Sequence, residues 1–500
     1  MMLTADGCQR ALRARDARFD GIFFVGITTT GVYCRPVCPS RLASPTHRRF
    51  FDSAESAERA GFRPCLRCRP ELAPGRALID AVPRLADVAA HRIAAGALNG
   101  RSVAELAREL GVSGRHLRRA LEREIGVPPI ALAQTHRLLL ARRLLADTEL
   151  PLTRIAFASG FQSLRRFNAL FRERYRLSPS ALRPRRRAGL PEGDVVRLTL
   201  AYRAPLAWDV LTALLGGDAL PGVEVVQHGR YGRTVRLDGR SGVVLVTDAA
   251  AGARHTHLNV ALSPALLPVI MPLLARLRLV FDLDAQPTVI DAHLADGGLG
   301  ALVRRRPGVR LPGAFDGFEA ALRALVRGPS RWAVVRALGE ALDTGVPGLT
   351  RLAPSPERVA AAGPVGLTTL GVPRGRAVAL AAVARGIVET TLRLEPGGDI
   401  AAARRALLEI DGIGDRVATT IVMRALYWPD AFPASDPALR RAAGAASANE
   451  LRARAERWRP WRAYAALHLW LAGVPLRGVD FATPRSSSLE NGGSGGRGRA

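Results

Sequence analysis

Four of the five cysteines in this 500-residue chain lie in two short pairs, with three residues inside the first pair and two inside the second. Each pair brings two sulfur atoms near one point, and a fold that closes one pair onto the other offers four thiolates. That set suits a tetrahedral Zn²⁺ at about 2.3 Å. Two disulfides or scattered core thiols are the alternatives, but nothing indicates the oxidising compartment that disulfides require. The predicted zinc ligands are Cys34, Cys38, Cys65 and Cys68.

The residues around these pairs, 29–38 and 60–68, resemble the N-terminal domain of the Ada alkylation-response family. The resemblance implies that Cys34 accepts a methyl group from a methylated DNA phosphate, because a zinc-bound thiolate stays deprotonated at neutral pH. Methylation would remove one negative charge and weaken the repulsion between the cluster and DNA. Arg35 and Arg41 are either phosphate contacts or ordinary solvated side chains. Cys8 has no partner and is expected to be structurally incidental.

A helix-turn-helix pattern begins at Ser102, where Ser102 and Glu105 form a capping box. A glycine-containing turn follows, and Ser113 then caps a second helix over residues 115–124. This second helix is rich in arginine near its start, which is where a recognition helix meets the bases.

A second copy has a helix over residues 152–158 and an arginine-rich helix over 163–174, and residues 130–146 connect the two copies. With its three phenylalanines and a Ser-Pro ending, residues 87–184 resemble the AraC-type DNA-binding domain. The phenylalanines are interpreted as core residues, which leaves the opposite face for DNA. The predicted DNA contacts are Arg115, His116, Arg118, Arg119, Arg165 and Arg166.

The length of the chain predicts three or four domains. Its 72 basic residues are all arginine and give a net charge of +28, which points to nucleic acid as a partner, although a biased genome gives the same composition. Residues 1–18 have no apolar core of a signal peptide. The uncharged stretch 258–275 contains prolines and is interpreted as a buried loop and helix rather than a membrane span. A soluble, cytoplasmic and nucleoid-associated protein is expected.

A charged linker is followed by β-branched runs and apolar helical segments, which predict an α+β domain. The runs lie at residues 195–201, 223–228, 231–237 and 242–247, and the helices near 208–215 and 264–277.

Residues 407–414 and the helix after them form a predicted helix-hairpin-helix, in which Gly412 and Gly414 allow a tight turn and a close approach to a phosphate. Together with residues 429–436, and from about 194 to 480, the chain resembles the AlkA-type 3-methyladenine DNA glycosylase. The catalytic aspartate of that family falls on Asp436. Asp430 is the less favoured candidate and is expected to be solvated.

Such glycosylases flip a damaged nucleotide out of the duplex and cut its glycosidic bond. A carboxylate stabilises the sugar oxocarbenium ion and orients the attacking water. A lyase would need an amine nucleophile, usually lysine. The chain has no lysine, so a monofunctional hydrolase is predicted.

The chain departs from the glycosylase family at the wedge and at the base pocket. Pro329 is the predicted apolar wedge. Only one of the family's pocket aromatics, Trp470, remains, and Arg416 would repel a cationic base if it pointed inward. The residues at the other three pocket positions are Leu214, Arg416 and Thr420.

The predicted fold class is a multidomain α+β chain with a small zinc domain, an all-α double helix-turn-helix domain, a TATA-binding-protein-like α+β domain and an all-α helix-hairpin-helix domain. The predicted divisions are 1–77, 87–184, a linker at 185–193, 194–306, 307–480 and a disordered tail at 481–500.

The leading hypothesis is an alkylation-damage regulator fused to a glycosylase, with one Zn²⁺, double-stranded DNA as substrate and RNA polymerase as a partner in activation. One alternative is a transcription regulator whose C-terminal half is a DNA-binding scaffold. Another is a glycosylase whose front half is a zinc-dependent DNA clamp. A guanine-repair methyltransferase would need a Pro-Cys-His-Arg motif, which the sequence lacks.

Overall fold

The computed structural model describes residues 4–74, 85–183, 195–249 and 256–472. The predicted linker at 185–193 and the predicted tail at 481–500 lie outside these residues. No helix within the described ranges is long and apolar enough to cross a membrane.

The N-terminal region is a four-stranded sheet in the order β3-β1-β2-β4, in which β4 runs parallel to β2 and the other neighbours are antiparallel. The helix after Ser53 begins with a capping box between Ser53 and Ser56. The elements are α1 (Ala5–Ala14), β1 (Phe24–Ile27), β2 (Val32–Cys34), β3 (Arg48–Phe51), α2 (Ala54–Arg59) and β4 (Arg63–Pro64).

Both predicted helix-turn-helix units are present. In the first, the Ser102 hydroxyl accepts from the Glu105 N–H at 3.2 Å, and the Glu105 carboxylate accepts from the Ser102 N–H at 2.7 Å. In the second, the three phenylalanines are buried with ring centroids 5.2 and 5.5 Å apart, as expected for core residues. The helices are α3 (Leu85–Ala94), α4 (Val103–Glu109), α5 (Gly114–Glu124), α6 (Pro129–Asp147), α7 (Leu152–Ala158) and α8 (Leu164–Tyr175).

The α+β region is a five-stranded antiparallel sheet in the order β5-β9-β8-β7-β6. Its elements are β5 (Val196–Ala201), α9 (Trp208–Gly217), β6 (Glu224–Gln227), β7 (Arg230–Leu237), β8 (Arg240–Asp248), β9 (His257–Leu262) and α10 (Ile270–Val280).

Strand β9 corrects the interpretation of residues 258–275 as a loop and a helix. Its backbone pairs with β5 on one side and with β8 on the other. Leu258, Val260 and Leu262 are buried, while Asn259 between them is exposed. This alternation is that of a strand with one buried face, and the prolines begin only after the strand ends.

The C-terminal region is helical, and its predicted hairpin is confirmed between α17 and α18. The helices are α11 (Pro287–Leu294), α12 (Gly300–Arg305), α13 (Gly317–Leu325), α14 (Pro329–Leu338), α15 (Pro356–Thr369), α16 (Arg374–Val388), α17 (Ile400–Leu408), α18 (Asp415–Ala425), α19 (Pro437–Ala442), α20 (Ala448–Ala455) and α21 (Arg462–Ala472).

One hydrophobic core joins the second helix-turn-helix to the α+β sheet. It runs without a break from Leu138 on α6, through Phe167 and Phe171 on α8, to Leu198 on β5 and Phe281 after α10. The DNA-binding unit and the sheet are therefore packed as neighbours, although they are separate in sequence.

Candidate zinc centre and nucleic-acid interfaces

The four predicted zinc ligands form one cluster. The Sγ atoms of Cys34, Cys38, Cys65 and Cys68 all lie within 4.8 Å of one another. Four sulfurs at about 2.3 Å around a tetrahedral Zn²⁺ stand roughly 3.8 Å apart, so the cluster has the size that the ion needs. All four thiols are free, which argues against two disulfides.

Strand register brings the two cysteine pairs together. Tyr33 on β2 lies opposite Pro64 on the parallel strand β4, so the next residues, Cys34 and Cys65, leave the sheet side by side. The N–H of Arg35 donates to the Cys68 Sγ at 3.4 Å, and the N–H of Arg67 donates to the Cys65 Sγ at 3.4 Å. Such donors stabilise thiolates.

Cys8 lies on α1, buried against the same small core but outside the four-sulfur cluster. Burial raises the pKa of its thiol, which keeps Cys8 protonated and unreactive at neutral pH.

The two arginines near the first cysteine pair differ in their surroundings. Arg35 forms a two-point ion pair with Asp20, with Nε 2.8 Å from Oδ1, and its Nη1 donates to the Cys68 carbonyl at 3.1 Å. Only 13% of its side chain is exposed. Arg35 therefore stabilises the loop around the cysteine cluster and is not on an exposed surface that could face DNA. Arg41 is exposed, as a phosphate contact would be.

Helix α6 contacts the zinc loop directly. Arg142 donates from Nη2 to the carbonyl of Cys65 at 2.7 Å, and its Nη1 lies 3.1 Å from the Glu71 carboxylate. Both side chains are almost fully buried. A zinc ligand is thus hydrogen-bonded to the helix that connects the two helix-turn-helix units.

The predicted promoter contacts all lie on the outer faces of two helices. On α5, Leu117 and Leu121 point into the core, and on α8, Phe167 and Phe171 do so. The exposed residues on the same helices include all six predicted contacts, namely Arg115, His116, Arg118 and Arg119 on α5, and Arg165 and Arg166 on α8.

The hairpin glycines have different roles. Gly412 has φ +87°, and a Cβ there would lie 2.7 Å from the Gly375 carbonyl oxygen, so that both conformation and space require glycine. Gly414 is the N-cap of α18 with φ −86°, and a Cβ there would meet nothing within 4 Å. The N-terminus of α18 is therefore open to solvent, as phosphate binding requires.

Asp436 stands at the N-cap of α19 beside two other predicted site residues. Its Oδ1 accepts from the N–H groups of Ala438 at 2.8 Å and Leu439 at 3.1 Å, and the Trp470 Nε1 lies 3.5 Å away. Its Oδ2 faces the Arg416 Nη1 at 3.6 Å. One carboxylate oxygen is fixed by three N–H groups, and the other faces the Arg416 guanidinium.

The other pocket positions lie around the same cleft. Leu214 on α9 packs against the same small apolar cluster as Trp470. Thr420 follows Arg416 by one turn of α18 and donates its hydroxyl proton to the Arg416 carbonyl at 2.8 Å. Leu214 and Trp470 therefore share one apolar cluster, and Trp470 and Arg416 both adjoin Asp436. Pro329 is exposed at the start of α14.

A cavity of about 360 Å³ has Thr420 and Gly328 in its wall. Asp218 holds two of its arginines, with the Arg331 Nη2 at 3.0 Å from Oδ1 and Arg424 bonded to Oδ2. Burial lowers the pKa of the Arg331 guanidinium, which Asp218 partly offsets. The arginines that line the cavity are Arg323, Arg327, Arg331 and Arg424.

These cavity arginines were missed by the reading of the sequence. No local pattern signals them, because Arg323 is on α13, Arg327 lies between the helices and Arg331 is on α14. The ion pairs of Asp218 with Arg331 and Arg424 depend on tertiary packing.

Asp430 is not solvated, contrary to the prediction. It is 0% exposed and binds two arginines, with Arg462 Nε at 2.7 Å and Arg459 Nη1 at 2.6 Å. Both arginines come from the segment before and at the start of α21, which closes over Asp430. Asp430 is thus part of a buried structural ion cluster with Arg459 and Arg462, and it is not a solvent-exposed carboxylate.

Comparison with known families defines the class of each region. Residues 7–71 match the metal binding domain of Ada, residues 106–185 a helix-turn-helix domain, and residues 197–316 the AlkA N-terminal domain. The cysteine cluster is therefore a Zn²⁺ site, and the chain is a DNA-binding regulator joined to a DNA glycosylase.

Curated relatives agree over the whole chain and over its parts. A probable bifunctional transcriptional activator/DNA repair enzyme AlkA of Mycobacterium tuberculosis is 38% identical over 480 residues, which is 93% of this chain and 95% of that protein. DNA-3-methyladenine glycosylase 2 of Escherichia coli is 35% identical over 280 residues, 54% of this chain and 96% of that protein. The Escherichia coli activator/repair enzyme Ada is 33% identical over 160 residues, 32% of this chain and 43% of that protein.

The chain belongs to the family of bifunctional transcriptional activators and DNA repair enzymes that fuse an Ada-type regulator to an AlkA-type glycosylase.

Proposed function

We propose that the chain detects alkylated DNA through Cys34, activates repair genes through its helix-turn-helix units, and excises damaged bases through Asp436. The observation that supports this most is that one chain carries both a four-cysteine zinc cluster and a carboxylate held by three N–H groups. The proposed divisions of the chain are those predicted from the sequence, 1–77, 87–184, 194–306 and 307–480.

The sensor step is a methyl transfer to sulfur. Cys34, Cys38, Cys65 and Cys68 would hold a Zn²⁺, which would keep the Cys34 thiol deprotonated at neutral pH. The Cys34 Sγ attacks the methyl carbon of a methylated phosphate, a sulfur–carbon bond forms, and the carbon–oxygen bond breaks with its electrons on the phosphate. The thioether has lost the negative charge of the thiolate, which lowers the repulsion between this surface and DNA. Exposed Arg41 is a phosphate contact in this proposal, while Arg35 positions the cluster through Asp20.

Promoter binding falls to α5 and α8, whose arginine-rich faces enter successive major grooves. Arg115→Ala and Arg165→Ala are each expected to weaken promoter binding at physiological salt, measured by titration of a labelled promoter. Glu122→Gln, an exposed change on α5 that removes no positive charge, is the control. Recruitment of RNA polymerase and residence on nucleoid DNA are parts of the same proposal.

The excision step uses the Oδ2 oxygen of Asp436, which faces Arg416. After a damaged nucleotide is flipped, the Asp436 Oδ2 stabilises the positive charge that develops on the sugar and orients the attacking water. The N–H groups on Oδ1 hold the carboxylate in place. Pro329 fills the gap in the duplex, and the N-terminus of α18 after Gly412 and Gly414 binds a backbone phosphate.

The test is base release from a damaged duplex by the full chain and by Asp436→Asn, which retains the N-cap of α19. Release that the substitution reduces at least a hundredfold supports the glycosylase. A second function, regulation with the C-terminal half as a DNA-binding scaffold, is favoured by the scarcity of aromatic side chains in the cleft. Methyl uptake by Cys34 without any base release would support this second function.

A further inference from the structure

The cavity whose wall includes Thr420, one of the predicted pocket residues, is rich in arginine. Arg323 is neutralised within the fold, because it pairs with buried Glu224 and Glu319 at 2.7 and 3.0 Å. The other three arginines that line the cavity are opposed by the single carboxylate of Asp218. None of the described residues in its wall is aromatic, so a base that enters it meets guanidinium groups, and Trp470 beside Asp436 is the aromatic side chain that remains in the predicted pocket.

Arg416 adds a further charge at the edge of this cavity. Its Nη1 lies 3.6 Å from the Asp436 Oδ2, and 38% of its side chain is exposed. Thr420, in the cavity wall, lies one turn further along α18, and residues four apart share one face of a helix. Arg416 is therefore on the side of α18 that faces both the carboxylate and the cavity.

The charge of the departing base decides whether such a pocket helps or hinders. When the C1′–N bond breaks, its electron pair goes to the base. A cationic N-methylpurine becomes neutral, whereas an uncharged base becomes an anion. Nearby guanidinium groups destabilise the first while it is bound and stabilise the second as it forms.

We infer that Arg416 and the cavity arginines shift the substrate class toward lesions whose base is uncharged, such as deaminated purines, relative to cationic N-methylpurines. The inference rests on the proposed glycosylase function of Asp436. In the reaction, the C1′–N bond breaks, the oxygen of water bonds to C1′, and a proton of that water ends on the released base. Arg416 is a specificity-determining residue that donates a hydrogen bond to the base as negative charge develops there.

The experiment uses the full chain and two duplexes, one with hypoxanthine and one with 7-methylguanine, as the uncharged and cationic probes. Single-turnover release is divided by the spontaneous release from the same duplex, which removes the intrinsic lability of the cation. Arg416→Gln removes the charge, and Arg416→Trp replaces it with an aromatic surface. Arg452→Gln, at an exposed position on α20, is the matched control.

Both Arg416 variants are expected to lower the hypoxanthine-to-7-methylguanine ratio by about tenfold, and Arg452→Gln is expected to leave it unchanged. A ratio that is the same in the wild type and in both Arg416 variants would overturn this inference and leave the glycosylase intact. Release of neither base, or release that survives Asp436→Asn, would overturn the proposed excision site together with the inference.

Discussion

The zinc centre and the glycosylase cleft are assembled in opposite ways. The zinc ligands come from one short segment, residues 34–68, and two paired strands bring them together. The cleft collects Leu214, Arg416, Asp436 and Trp470 from four helices or helix ends spread over more than half of the chain. A site built locally is held by its own loop and its ion, whereas a dispersed site depends on the packing of the whole C-terminal half.

The largest effect is expected from loss of a zinc ligand. Structural zinc sites contribute roughly 10–16 kcal/mol of apparent folding free energy, so Cys38→Ser is expected to release the ion and unfold the zinc domain. Metal analysis and limited proteolysis would measure this, and base release should persist because the cleft is built elsewhere. Cys8→Ser, which changes a buried cysteine outside the cluster, should retain one zinc per chain. Base release lost with Cys38→Ser alone would contradict the separation.

The second-largest effect is expected in the C-terminal half, from loss of the buried ion cluster around Asp430. Asp430→Ala removes the buried partner of Arg462 and leaves it only the exposed Glu456, which should lower the free energy of unfolding by about 3–5 kcal/mol. All six tryptophans lie between residues 208 and 470, so tryptophan fluorescence during urea unfolding reports this half alone. Asp411→Ala, an exposed change, is the control, and an equal effect of the two changes would refute the structural role of Asp430. Zinc content should not change.

The third effect tests the contact between the local site and the DNA-binding helices. Glu58 on α2 accepts from the hydroxyls of Tyr33 and Thr135, each at 3.0 Å. Burial raises the pKa of Glu58 to about 7, above its unfolded value, so its favourable contribution is present at low pH and is lost as the pH rises through 7.

Between pH 5 and pH 8 the wild-type protein should lose up to about 3 kcal/mol of its free energy of unfolding as Glu58 ionises. Glu58→Gln cannot ionise and should therefore not show this loss. Hydrogen exchange of the α2 and α6 amides at several pH values would measure it. The exposed change Glu122→Gln should keep the wild-type dependence of stability on pH. If Glu58→Gln shows that same dependence, Glu58 is not the group that causes it.

The smallest effect separates the two hairpin glycines. Gly412→Ala is expected to cost about 1–2 kcal/mol, because its φ is left-handed and its Cβ would press on the Gly375 carbonyl. Gly414→Ala should stay within about 0.5 kcal/mol, since it meets neither obstacle. Urea unfolding and duplex affinity would be measured for both variants. If both lower the free energy of unfolding equally, the difference between Gly412 and Gly414 described above is contradicted.

The same contrast explains what the sequence could predict. The zinc ligands were evident from spacing, because the register of β2 and β4 needs only a short loop. The capping box at Ser102 and the hairpin at Gly412 were evident for the same reason, since each is set by residues a few positions apart.

Features that depend on distant partners were not predicted. Asp430 was expected to be solvated because the arginines that bury it come about 30 residues later. Strand β9 was missed because its identity comes from pairing with β5 and β8 on both sides. The position of Arg416 beside Asp436 depends on the packing of α18 against the segment before α19, which no local pattern records.

The most direct test of two separate chemistries on one chain uses a single duplex that carries a methylphosphotriester, a 7-methylguanine and a hypoxanthine. Methyl transfer to the Cys34 peptide and base release are followed together for the wild type, Cys34→Ala and Asp436→Asn. We expect Cys34→Ala to lose methyl uptake and keep base release, and Asp436→Asn to do the reverse. Loss of both activities in either variant, or base release that survives Asp436→Asn, would contradict the assignment of the two sites.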